Sequence, residues 1–81
     1  MNLEEAKELF TEISDLCWSI ESPRLTDLVD SILPEVDNAK CVEDVVNSAE
    51  EIQVVINDIE ILPEEEEIMI EVNDKITMLF E

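Results

Sequence analysis

Almost all of the side chains in this sequence that could do chemistry are carboxylates. The 81 residues include 23 Asp and Glu, four Lys and Arg, and no His or Gly, which gives a formal net charge of −19. Paired carboxylates can serve as general acid and base, but one of them must then be desolvated in a cleft. The absence of His removes the commonest general base, and the absence of Gly removes phosphate-binding loops and nucleophile elbows. We therefore expect no enzymatic activity and no catalytic residues.

The carboxylates also lack the spacing of a metal site. Glu64–Glu67 is the densest run, and Asp37, Glu43 and Asp44 flank a predicted connection. Neither group has the ligand order or the turn glycine of a calcium-binding loop. Four carboxylates in a row are instead typical of a solvated first helical turn, where they interact with free backbone N–H groups. We expect no metal site and no cofactor.

Cys17 and Cys41 are the only cysteines, and their spacing matches neither a metal site nor a disulfide framework. Both are expected to be reduced and buried, because cysteine is among the most buried residue types. The N-terminal residues are acidic, unlike a signal peptide, and no apolar run approaches about 18 residues. These features predict a soluble, cytoplasmic protein.

The net charge also restricts the partners of the protein. Nucleic acids and anionic membranes are polyanions, so the field of this chain should repel both. The same field favours basic protein surfaces, including those of nucleic-acid-binding proteins. The alternative interpretation is that the charge only keeps the chain soluble.

Two helices are predicted in the first half of the chain. The first begins at Leu3, capped by Asn2, and its apolar residues keep helical spacing through Ile20. The second begins at Ser22-Pro23, which suits an N-cap followed by the first helical position. Pro34 disfavours the helical conformation of the residue before it, so this helix is expected to end at Leu33 or close by.

Two further helices are predicted in the second half. The third covers residues 41–62, capped by Asp37 or Asn38, and the fourth starts at Pro63 and continues to the C-terminus. Val36, in the connection before the third helix, is expected to enter the core. Short connections between four amphipathic helices predict an all-α fold, a small, irregular antiparallel four-helix bundle that forms one acidic domain over residues 1–81.

Several apolar residues do not belong to the stripes that face the predicted core. In the third helix Val54 and Ile61 are seven residues apart and point away from its stripe, so they form a second seam. Such a seam, rimmed by carboxylates, could bind an apolar and basic partner surface or a second copy of the chain. The predicted partner-binding residues are Trp18, Glu50, Glu51, Val54, Asp58, Ile61 and Ile70.

About 25 residues resemble part of an acyl carrier protein. Val42-Glu43-Asp44, the acidic and apolar helix after Ser48, and Leu62-Pro63-Glu64-Glu65 are similar to the carrier helix and its exit. The resemblance implies a phosphopantetheine arm on a serine. In that family the serine lies between Asp and Leu at a helix start, whereas Ser48 lies between Asn and Ala within a predicted helix; Asp30-Ser31-Ile32 is nearer to the tripeptide.

The leading functional hypothesis is a non-catalytic regulator or inhibitor that docks on a cationic surface of a larger protein. A special case is mimicry of nucleic acid, with carboxylates in place of phosphates. Small, acidic domains without glycine are similar in type to phage-encoded or mobile-element-encoded regulators of host enzymes. The alternatives are a structural or assembly subunit, such as a homodimer, and an acyl-carrier-like protein.

Overall fold

The computed structural model describes residues 1–80, which form four helices and no strands. The helices are α1 (Leu3–Trp18), α2 (Pro23–Asp37), α3 (Val42–Asp58) and α4 (Glu66–Phe80), with a 3₁₀ turn at Pro63–Glu65 immediately before α4. Each helix contacts the next one along the chain, and the molecule measures 36 × 23 × 18 Å. The prediction of an all-α, antiparallel four-helix bundle is confirmed.

The bundle is irregular because its two diagonals differ. α1 and α3 approach each other across the bundle, whereas no Cα atom of α2 lies within 8 Å of one in α4. α1 and α3 therefore form the central pair, and α2 and α4 flank it on opposite sides. The largest fully buried side chains come from all four helices and from the first connection: Phe10, Ile13, Cys17, Ile20, Leu25, Val29, Val45, Ile52, Val72 and Ile76.

The first two helices begin where local sequence signals predict. The side chain of Asn2 accepts a hydrogen bond from the Glu5 N–H at 2.8 Å. The Ser22 hydroxyl accepts one from the Leu25 N–H at 3.4 Å, with Pro23 at the first helical position. Both caps satisfy backbone donors that a helix leaves free at its start.

The predicted end of α2 near Leu33 is wrong, because the helix continues through Pro34 to Asp37. Proline removes one backbone hydrogen bond and disfavours a helical residue before it. Val36, however, is buried as predicted, and both the backbone and the side chain of Asn38 donate to the Pro34 carbonyl, at 3.1 and 2.9 Å. Core burial and this C-terminal cap outweigh the local preference.

The predicted bounds of α3, residues 41–62, are too wide. The helix spans Val42–Asp58, and Ile59 already has an extended backbone. The predicted caps Asp37 and Asn38 are also wrong, since both belong to the C-terminal end of α2. Residues 59–62 instead form the connection that carries the chain from α3 to α4.

The two cysteines occupy different environments. Cys17 is buried in the core, and burial raises the pKa of its thiol to about 12. Cys41 is exposed at the start of α3, so the prediction that it is a core residue is wrong. Its position before the first helical turn places it outside the buried stripe of α3. Both thiols are free.

Candidate protein-binding surface

Carboxylates are the commonest charged groups on the surface of the bundle. The structure describes 22 acidic residues, and 21 of them are exposed. An exposed carboxylate keeps its charge and its access to a partner, whereas a buried carboxylate requires internal hydrogen bonds. The negative charge is therefore presented to solvent on all four helices.

Most of the few basic side chains are occupied within the molecule. Three of the four join one helix to another, which leaves Lys40 as the only one without such a contact among residues 1–80. Exposed pairs of this kind add little stability, but each one places a basic group beside an oxygen of the same molecule. The three contacts are Lys7 Nζ with the Asp37 carbonyl at 2.9 Å, Arg24 with the Asp58 carboxylate, and Lys75 with Glu12 at 3.5 Å.

The outer face of α3 carries three of the predicted partner-binding residues. Glu50, Val54 and Asp58 follow one another at intervals of four residues, so they lie on one side of the helix. All three are exposed, and Val54 is 66% exposed. Glu51 lies seven residues before Asp58, which places it about 20° from Asp58 around the helix axis, at the edge of the same face. There it lines a shallow cleft with Glu35 of α2.

The predicted seam of Val54 and Ile61 is wrong. α3 ends at Asp58, so Ile61 lies in the extended connection and has no helical relation to Val54. Its side chain is partly buried and packs against the core. Val54 is therefore an isolated apolar residue within the carboxylates of its face.

Trp18 and Ile70 lie elsewhere on the bundle. Trp18 is the last residue of α1 and is 45% exposed. It follows Lys7 by 11 residues, about three turns, so both lie on the side of α1 that faces α2. Ile70 is 61% exposed on α4, beside Glu67 and Asp74. The seven predicted residues thus do not form one surface, and only the set on α3 comes together.

Glu65 is the residue with a special environment that the sequence did not reveal. It is only 5% exposed, so the prediction of a solvated helix start holds for its three neighbours in Glu64–Glu67 but not for Glu65 itself. One carboxylate oxygen accepts from the Glu21 N–H at 2.6 Å, and the other accepts from the Leu62 N–H at 3.3 Å. Glu65 therefore links the α1–α2 connection to the start of α4 through hydrogen bonds.

The serine at the centre of the acyl-carrier resemblance is not accessible. Ser48 is buried in the middle of α3, and its hydroxyl donates to the Asp44 carbonyl at 3.3 Å. A phosphopantetheine arm attached there would have to displace core packing. Ser31, by contrast, is exposed on α2. The geometry of Ser48 does not favour a carrier role.

Comparisons with known proteins give no indication of the function. No family model matches the chain, and searches of curated proteins and of solved structures found no similar protein. Within residues 1–80, no three acidic or cysteine side chains are grouped so that they could hold a metal ion. In the same range, no helix has the length and apolar character needed to cross a membrane.

The charge distribution predicts that salt stabilises the fold. The melting temperature should rise between about 0.01 and 1 M NaCl, because the Debye length falls from about 30 to 3 Å and screens repulsion between carboxylates. Thermal melts followed by circular dichroism measure this. A variant with glutamine at the exposed positions Glu64, Glu66 and Glu67 should respond less. A flat salt response of the wild type would contradict the prediction and indicate carboxylates already compensated by bound cations.

Proposed function

We propose that this chain is a non-catalytic protein that docks on a cationic surface of a larger protein and modulates or blocks it. The observation that carries the proposal is that 21 of 22 described acidic residues are exposed while three of four basic residues are bound internally. A surface of one sign attracts an oppositely charged partner at long range and raises the association rate. It also repels acidic competitors, which gives selectivity.

The cationic surface that fits best is one that binds nucleic acid. Duplex DNA carries one negative charge per about 1.7 Å of axis, so a segment 36 Å long, the length of this molecule, carries about 21 charges. The net charge of −19 is close to that value. The match in length and charge supports mimicry of nucleic acid as the form that docking takes.

Displacement of nucleic acid tests this proposal. A set of purified duplex-binding proteins would be loaded with a labelled duplex of about 20 base pairs, and the protein would be added at about 50 mM salt. We expect the duplex to be released from at least one of them, and release should weaken at about 200 mM salt because the attraction is ionic. Fluorescence anisotropy measures the release.

The control is a variant of the outer α3 face with an unchanged fold. Glu43, Glu50 and Glu51 are exposed, so their replacement by glutamine lowers the charge without disturbing the core. This variant should displace the duplex less efficiently than the wild type. If the folded wild type releases duplex from none of the proteins, mimicry of nucleic acid is rejected.

A second candidate function is that of an assembly subunit. Val54 is 66% exposed on the outer face of α3 and offers an apolar contact to another helix or to a second copy of the chain. The two functions differ in their dependence on salt. Self-association of two chains of charge −19 should strengthen as salt screens repulsion, whereas docking on a basic partner should weaken.

We assign the proposed activity to the cytoplasm. Both cysteines are free, and Cys41 is exposed. An exposed thiol is compatible with a reducing compartment, where cytosolic thiols are kept reduced.

A further inference from the structure

A cleft of about 500 Å³ lies between α1 and α4, near the start of α1. It differs from the cleft beside Glu35 and from the depression beside Ile70 in joining exposed methionines to carboxylates. Met1 and Met78 are 55% and 51% exposed. The lining residues are Met1, Glu5, Glu8, Leu9, Thr11, Glu12 and Met78.

The apolar part of this cleft is suited to an irregular partner surface. Leu9 is part of the core, and Met78 comes from the opposite wall. Methionine is unbranched and polarizable, so it adapts to side chains of different shape. The cleft therefore offers an apolar contact that is continuous with the core.

All of the charged side chains that line the cleft are negative. Glu5, Glu8 and Glu12 are spaced three and four residues apart, so they lie along one side of α1. Glu12 also pairs with Lys75 of α4 at 3.5 Å, which joins the two walls. The carboxylates of Glu5 and Glu8 form no such ion pair, so they are available to a basic side chain of a partner.

We propose that this cleft docks a cationic amphipathic helix of a partner protein. The inference rests on the proposed function, and charge complementarity identifies the occupant. The apolar side of such a helix would contact Met1, Leu9 and Met78, and its Lys or Arg side chains would meet Glu5 and Glu8. A helix of about 14 residues is about 21 Å long, so it would cover the α1 wall of the cleft, where Glu5 to Glu12 span about 10 Å.

The test uses two labelled peptides of about 14 residues made of the same leucines and lysines. In one peptide the leucines follow helical spacing, and in the other the order is scrambled. Wild-type protein should bind the amphipathic peptide about tenfold more tightly, which corresponds to about 1.4 kcal/mol. Titrations followed by fluorescence anisotropy measure both dissociation constants.

Two substitutions on α4 locate the binding site. Met78→Ser should remove most of the tenfold preference, because it replaces an apolar wall of the cleft. Ile70→Ser is the matched control, since Ile70 is similarly exposed on α4 but lies in a separate depression with Glu67 and Asp74. It should leave both dissociation constants unchanged. Circular dichroism checks that both variants fold.

Equal binding of the two peptides, or equal effects of Met78→Ser and Ile70→Ser, would overturn the cleft assignment. Docking driven by charge alone would then still stand as the proposed function. Failure of both peptides to bind at low salt would reject the cleft. It would also count against the proposed function, because neither cationic probe would be attracted.

Discussion

Replacing Glu65 by alanine is expected to lower the free energy of unfolding by about 2–4 kcal/mol. The carboxylate is buried and accepts hydrogen bonds from the N–H groups of Glu21 and Leu62. Hydrogen bonds to a charged group contribute about 1.5–3 kcal/mol each. The expected loss is smaller than the sum of two such bonds, because Glu21 and Leu62 are exposed residues and water can replace part of the bonding to their N–H groups. A domain of 81 residues has a total stability of about 4–12 kcal/mol, so this loss is large. Urea unfolding followed by circular dichroism measures it.

The neighbouring glutamates provide matched controls for this substitution. Glu64 and Glu66 are exposed, so alanine at either position should change stability by at most about 0.5 kcal/mol. Either change also removes one repulsive charge, as the Glu65 substitution does. Glu65→Gln should be intermediate, because its amide oxygen replaces only one of the two acceptors. A result for Glu65→Ala equal to that for Glu64→Ala would show that the two hydrogen bonds add no stability.

The two hydrogen bonds of Glu65 could not be predicted from the sequence. Its bond to the Leu62 N–H is half of a capping box, in which the residue at the third helical position reaches back to the cap. The usual signature requires Ser, Thr, Asp or Asn at the cap, and Leu62 supplies no such side chain. The bond to Glu21 joins residues 44 positions apart, so no local pattern predicts it.

Helix starts were more predictable than helix ends. Asn2 and Ser22-Pro23 act on backbone groups two or three residues away, so their effect is visible in the local sequence. The chain has no glycine to mark a helix end. α2 passes Pro34 because Val36 is buried, and α3 ends at Asp58, which pairs with Arg24 of α2. These are tertiary contacts, and they cannot be predicted from the spacing of apolar residues in the sequence.

The candidate surface also has a part that the sequence predicts and a part that it does not. Glu50, Val54 and Asp58 share a face of α3, as helical spacing predicts. The position of Ile61 depended on where α3 ends, and that prediction failed. The α1–α4 cleft brings Leu9 beside Met78, which is 69 residues away, through antiparallel packing. Residues of a surface that crosses helices can be identified only once the pairing of the helices is known.

Phe10→Ala is the core substitution with the largest expected effect. Phe10 is 0% exposed, and truncation of a buried phenylalanine typically costs about 3–5 kcal/mol, a large part of the total stability of such a domain. Phe80 is the matched control, since it is the last residue of α4 and is 41% exposed. Its replacement by alanine should cost less than about 1 kcal/mol. Thermal and urea unfolding measure both effects, and equal losses would contradict the assignment of Phe10 to the core.

The same pair of variants separates docking by a folded surface from attraction to an acidic chain. Phe10→Ala keeps all 23 acidic residues and the net charge of −19. At a temperature where Phe10→Ala is unfolded and Phe80→Ala is folded, both have the same charge, but only one holds it on a bundle 36 Å long. We expect the unfolded variant to lose displacement of duplex and to bind the two peptides equally, because an unfolded polyanion lacks both the fixed charge spacing and the cleft. Undiminished displacement by the unfolded variant would mean that charge alone suffices, and it would contradict the proposal that the fold positions these carboxylates for a partner.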